Sequence, residues 1–157
     1  YWIEEPFHED EALFAELKKW LTAEGLAVLI ADGEGDASQH LLLWAEHGLI
    51  DVVQYDILRF GFTRWLELGA RLDRLGVRSA PHHYGETTGN YTSCALAGAI
   101  QRFEFVEWDE ATVSGLTGLD YSITDGRVNV PARPGFGLEL DNDRCTQAVK
   151  DNGFIVE

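Results

Sequence analysis

Apolar and polar positions along the chain follow two periods, and the switch between them recurs. The run YWI at 1–3 is a short apolar strand. From Asp10 to Ala23 the apolar positions Leu13, Leu17, Trp20 and Leu21 follow helical spacing, with Gly25 as a stop. LAVLIA at 26–31 is a continuous apolar run, the pattern of a strand covered on both faces. Residues 38–47 predict a helix ending at Gly48, and LIDVVQY at 49–55 a third strand. Phe62, Trp65, Leu68, Leu72 and Leu75 mark the next helix before Gly76. VRSAP at 77–81 predicts a fourth strand, 90–100 a packed helix, and FEFVEW at 103–108 a fifth strand. Five strands with four intervening helices imply an α/β fold with a parallel sheet.

After Asp109 the rhythm stops. The segment GLTGLDYSITDGRVNVPARPGFGLELD is rich in Gly, Pro and Asp, with a hairpin-like TDGRVNV. A short helix is expected near 143–151. The chain therefore divides into a run of βα units over 1–110 and a tail of turns, short strands and a helix over 111–157.

The polar residues fall at equivalent places in that rhythm. Glu4 and Glu5 follow the first strand, Asp32 and Glu34 the second, Asp56 the third, His82 and His83 the fourth, and Glu107 the fifth. In a parallel barrel the C-terminal ends of the strands converge on one face, where active sites are built. A lone acid after a strand is usually a helix cap or a solvated turn, and Asp10 and Asp36 are expected to be caps. His8, His40 and His47 are expected at the surface or at helix ends. The coincidence of Glu4, Glu34, Asp56, His82 and Glu107 is harder to assign to capping alone.

Their chemistry suggests a division of labour. Glu4 and Glu34, from neighbouring strands, are hard oxygen ligands suited to Mg²⁺, which binds few protein carboxylates and keeps sites for water or substrate. Histidine ordinarily titrates near neutral pH, which suits His82 to proton transfer, and Asp56 could hold its ring in one tautomer. A Mg²⁺ on a substrate carboxylate together with a His–Asp pair is equipment for removing the proton α to that carboxylate.

Composition narrows the partners. With 27 Asp plus Glu against 12 Lys plus Arg, the formal charge of −15 argues against nucleic acid or an anionic membrane. Hydrophobic content of 45%, with 5 Trp and 8 Phe, supports a folded globule. The two cysteines, Cys94 and Cys145, lack zinc-ligand spacing, and reduced buried thiols are expected. No apolar run reaches membrane-spanning length and the N-terminus lacks a basic region followed by an apolar one, so a cytoplasmic location is expected.

WIEEP, DGEG, QYDILRFG, SAPHHYG and FVEWD, in that order and spacing, resemble the C-terminal half of the barrel domain in the enolase superfamily, mandelate racemase/muconate lactonizing enzyme branch. The tail NVPARPGFGLELD is similar to the same branch, where it returns towards a capping domain. The resemblance implies the C-terminal part of a TIM-type (β/α)7β barrel, with the N-terminal strands and capping domain outside this chain. It implies that Glu4 and Glu34 are the second and third ligands of a Mg²⁺, the first being an Asp on a preceding strand. Asp56 and His82 match a dyad in which histidine is the general base or acid. Glu107 matches a carboxyl that hydrogen-bonds the substrate carboxylate as it becomes an enediolate. Glu5, Arg59 and His83 match no assigned role and are expected to touch substrate or to support the ligands.

The activity so implied is Mg²⁺-dependent dehydration of a small-molecule carboxylate, an aldonate or aldarate, by an intact protein that is a homo-oligomer. A racemase or epimerase using the same dyad is the nearest rival. A non-catalytic half-barrel that needs a partner to fold is an alternative of another class, because an open parallel sheet leaves an unpaired edge.

Overall fold

The computed structural model describes residues 1–113, 115–118 and 120–153, the side chains at 148 and 152 excepted, so residues 114, 119 and 154–157 of the expected tail lie outside the described ones. Four parallel strands, β1 (Trp2–Glu4), β2 (Leu29–Asp32), β3 (Val52–Val53) and β4 (Arg78–Ser79), form one sheet in the order β1-β2-β3-β4. Their registers pair Ile3 with Ile30, Ala31 with Val52 and Val53 with Ser79.

The fifth expected strand joins this sheet through a single parallel bridge between Ser79 and Phe103. There Ser79 N–H donates to the Arg102 carbonyl at 2.8 Å and Glu104 N–H to the Ser79 carbonyl at 2.9 Å. Ala80 N–H turns the other way, to the Val53 carbonyl at 3.1 Å. The next backbone nitrogen facing the fifth segment belongs to Pro81, which has no N–H to give, and the ladder stops.

The connections are helical. The α1 helix (Glu11–Ala23) is capped by Asp10, whose carboxylate accepts from Leu13 N–H at 3.0 Å. Its buried side chains are Phe14 and Leu21, with Leu17 packed against them, whereas Leu13 and Trp20 are exposed. The helix is thus rotated from the face expected of Leu13, Leu17, Trp20 and Leu21, because the larger Phe14 takes the inward place next to Leu13. The α2 helix (Leu41–Glu46) is shorter than expected, since residues 38–40 form a turn and His40 caps nothing with its side chain. The expected cap Asp36 is exposed and lies 3.8 Å from Arg59, and the cap position of α2 is His40 instead.

A one-turn helix, α3 (Ile57–Phe60), precedes α4 (Phe62–Leu75) and was absent from the periodicity; Gly61 at φ +92° separates the two. The α5 helix (Thr87–Ala97) begins earlier than expected.

Fully buried Phe14, Ile30, Leu41, Val53, Trp65 and Leu72 belong to the core between sheet and helices. On the opposite face Ala31, Val52 and Ala80 form a second, smaller cluster with Trp2 and Leu29. Side chains of the two sheet edges reach each other across this face: the Phe105 ring lies 5.4 Å from Tyr1 and 5.5 Å from Trp2. Arg78 bridges Glu104 at 3.0 Å and the Tyr1 hydroxyl at 2.7 Å.

In the tail, β5 (Leu116–Gly118) pairs antiparallel with β8 (Leu138–Leu140). The expected hairpin is present as β6 (Ser122–Thr124) and β7 (Arg127–Asn129). Asp125 and Gly126 turn it with φ of +51° and +71°, the mirror-image turn that Asp-Gly favours. The α6 helix (Asn142–Asn152) closes the described chain. Ring contacts from Phe136 to Phe62 at 5.2 Å and from Tyr121 to Tyr91 at 4.6 Å tie the tail to the βα units. Cys94 is a buried free thiol, pushed up to about 11 by burial, while Cys145 is exposed, contrary to the expectation of two buried thiols. Among the described residues no helix is long and apolar enough to cross a membrane.

Candidate active site

The Asp56 carboxylate performs two tasks at once. As the cap of α3, its Oδ1 accepts from Leu58 N–H at 2.8 Å and from Arg59 N–H at 2.9 Å. That fixes the plane of the carboxylate and leaves Oδ2 aimed at Nδ1 of His82, 3.2 Å away. The His82 backbone is fixed as well, its carbonyl accepting from Ile57 N–H at 2.9 Å. With Nδ1–H donating to Asp56, Nε2 is the nitrogen that can gain or lose a proton, and it faces Glu34 Oε2 at 3.2 Å. The three side chains line one cleft of about 350 Å³ together with Arg59.

Glu34 reaches this place because Gly33, at φ +129°, lets the chain pass close over β3. A Cβ on Gly33 would stand 3.2 Å from the backbone nitrogens of Gln54 and Tyr55 and 3.1 Å from Leu41 Cδ2.

Glu4 and Glu107 share a second cleft, of about 270 Å³, with Trp2 and Gln54. Glu4 Oε2 accepts from the Trp2 indole at 2.9 Å and from the Gln54 amide at 3.0 Å. Glu107 Oε2 accepts from the backbone N–H of His83 at 3.2 Å. Gln54 went unnoticed in the sequence, although a polar residue on the same face of its strand as Val52 was a signal for it. Of the remaining candidates, Arg59 is an exposed side chain beside Asp36. His83 is fully buried and faces Asn90 rather than either cleft.

Glu5 stands between the two groups. Burial, and then the charges of Glu34, Glu4 and Glu9, push its carboxyl above the usual range, with His82 opposing them. It has φ of +41° immediately before Pro6, a conformation that L-residues seldom adopt and that the flanking strand and proline must hold in place.

Negative potential concentrated on Glu4, Glu5 and Glu34 and two hard oxygen donors on adjacent strands suit a divalent cation. Among the described residues, however, no group of three or more His, Cys, Asp or Glu is arranged to hold a metal ion. Glu4 and Glu34, which line separate clefts, are the two oxygen donors that this chain could offer such a cation.

Asp32 is a further acid at this end of the sheet, and it turns towards the helices. It is 2% exposed, and its carboxyl is pushed up to about 7 by burial and by Glu9 and Glu5. Asp32 Oδ2 and Glu9 Oε1 are both buried with no hydrogen-bond partner among the described residues.

The sequence model of one family, described as enolase C-terminal domain-like, matches residues 1–144. The chain belongs to this family. Its barrel is the TIM type of which this chain forms the C-terminal part. A mandelate racemase/muconate lactonizing protein from Geobacillus sp. Y412MC10, complexed with magnesium and tartrate, is 52% identical with a TM-score of 0.95, over 98% of this chain and 40% of its own. Galacturonate dehydratase from Geobacillus sp., complexed with D-galacturonate and 5-keto-4-deoxy-D-galacturonate, is 52% identical with a TM-score of 0.94, over 97% of this chain and 41% of its own. A 3,6-anhydro-D-galactonate cycloisomerase from Zobellia galactanivorans, 20% identical with a TM-score of 0.71 over 93% of this chain and 42% of its own, shows the same fold. This enolase C-terminal domain-like chain thus spans about two fifths of the length of the solved proteins it matches. No curated protein matches it.

Proposed function

We infer that the full-length protein removes the proton α to the carboxylate of a sugar acid and expels the β-hydroxyl as water. The observation that carries this reading is the His82 imidazole, set 3.2 Å from Asp56 on one side and 3.2 Å from Glu34 on the other. Glu4 and Glu34 would hold Mg²⁺, with Glu5 supporting them. Mg²⁺, when bound, supplies positive charge beside the substrate carboxylate, which favours the charge developing there.

His82 Nε2 takes the α-proton, while Asp56 keeps the ring in the tautomer that can accept it. The electron pair left on carbon delocalises into the carboxylate as an enediolate, which Glu107 meets with a hydrogen bond. Collapse of the enediolate breaks the β-carbon–oxygen bond, the hydroxyl leaves as water with a proton returned by His82, and the enol so formed tautomerises to a ketone.

The pair of sugars bound to the Geobacillus dehydratase fits this chemistry. Its 5-keto-4-deoxy compound is D-galacturonate that has lost the α-proton at C5 and the β-hydroxyl at C4, as water. The identity of 52% to that enzyme supports a hexuronate as the first substrate to try.

The test is incubation of the full-length protein with Mg²⁺ and D-galacturonate, then a panel of aldonic and aldaric acids, in D₂O with NMR detection. A deoxy-keto product is the expected result. Deuterium entering the α-position without any ketone would instead establish a racemase or epimerase, and no exchange with any acid would reject both activities.

A further inference from the structure

Glu107 and His82 lie on separate loops, and their relative position is set by residues that line neither cleft. The peptide joining His82 to His83 is the tie: the His83 N–H donates to Glu107 Oε2 at 3.2 Å. Behind it the His83 ring is fully buried, with Nε2 2.8 Å from Asn90 Oδ1. Asn90, 1% exposed on the first turns of α5, clasps the other loop with both ends of its amide. Its Oδ1 accepts from Asp109 N–H at 2.8 Å and its Nδ2 donates to the Asp109 carbonyl at 2.7 Å.

Those two bonds fix which end of the amide is oxygen, so His83 must donate from Nε2. Gly89 completes the clamp, because a Cβ there would overlap Cγ and Cδ2 of the His83 ring. Asp109 adds a last connection, accepting from Ala111 N–H and from Gly85 N–H, which hold its carboxyl below the usual range.

We propose that Asn90 and His83 are positioning residues for Glu107, holding its carboxyl at a set distance from His82. This rests on the reading of His82 and Glu107 given above. The strap contacts no substrate and moves no proton. Its effect is that the group taking the α-proton and the group meeting the enediolate keep one geometry through the reaction. Partners standing behind metal ligands typically alter activity by about 10- to 100-fold when removed, and the same scale is taken for the support of Glu107.

The experiment compares the full-length protein with its Asn90→Ala variant on a dehydrated acid and on the same acid deuterated at the α-carbon. Asn90→Ala is expected to lower kcat about 10- to 100-fold with KM within about two-fold, and to raise the α-deuterium isotope effect on kcat. Loss of folded molecules alone would leave that isotope effect unchanged. If Asn90→Ala does not fold, Asn90→Ser is the second variant, its uncharged hydroxyl leaving a polar group beside the Asp109 loop. A smaller fall in kcat with the same direction of isotope effect is then expected. An unchanged isotope effect in the folded variant overturns the positioning role while leaving the proposed reaction standing. Absence of α-exchange in the unaltered protein removes the reaction and the positioning role together.

Discussion

The two faces of the four-stranded sheet are built from neighbouring residues and serve different ends. Ile30 and Val53 enter the large core against the helices, whereas Ala31 and Val52, one position along, enter the small cluster on the other face. The helix side is closed by bulky rings and branched chains such as Phe14, Trp65 and Leu72. The opposite face is lined by small residues, and towards the strand ends it gives way to Glu4, Gln54 and Glu107. The main core lies on one face, and Glu4 and Glu107, the carboxyls proposed to meet metal and substrate, lie with the small cluster on the other, as the period of two in a strand allows. The lesson is that the groups proposed to act on substrate can be altered without opening the core, and the core can be weakened without disturbing them.

The sharpest way to break that division is His82→Asn. On the proposed function, α-proton exchange falls by about 10²- to 10⁴-fold, the usual range for a lost general base, while the unfolding midpoint hardly moves. Exchange retained at its original rate would take His82 out of the base role.

The opposite case is Leu72→Ala, on the helix side and fully buried. It should destabilise the protein by about 3 kcal/mol in denaturant unfolding, with the kinetics of the folded fraction unchanged. An equal loss of kcat per folded molecule would show that the two faces are coupled.

Asp32→Asn tests an acid that crosses the division, lying at the C-terminal end of β2 but pointing into the helix layer. Its pKa of about 7 stands above the ordinary 3.8. The carboxyl therefore contributes fully when protonated, below the ordinary value, and that contribution is lost as pH rises through about 7. Asparagine, whose amide can donate to Glu9, should raise stability above pH 7 by on the order of 2 kcal/mol and flatten its dependence between pH 4 and 8. Urea midpoints at the two ends of that range decide it. A variant as pH-sensitive as the parent would mean that Asp32 is ionised throughout.

The βα rhythm was legible because each strand is a short apolar run closed by a polar residue, and the same punctuation marked Asp56 and His82. That the two side chains meet follows from parallel register, in which consecutive strand ends become neighbours. Periodicity misplaced the face of α1, since Leu13 and Phe14 compete for one inward position and only packing against Trp44 chooses the ring. It missed the one-turn α3, too short to show a period, and it could not foresee that Pro81 would cut the fifth strand to one bridge. Asn90 and Asp109 were invisible for another reason. Their importance lies in backbone hydrogen bonds between loops, and no spacing rule encodes those.

Trp2 is more than a spacer on the small face. Its indole donates to the same Glu4 oxygen that accepts from Gln54, and its ring stacks near Tyr1 and Phe105. Any ion or substrate that draws on that oxygen competes directly with an indole N–H, so occupancy of the site changes the polarity around a chromophore. On the proposed function, Mg²⁺ at Glu4 should shift the emission of Trp2, and comparison with Trp2→Phe would separate that shift from the signal of the other four tryptophans.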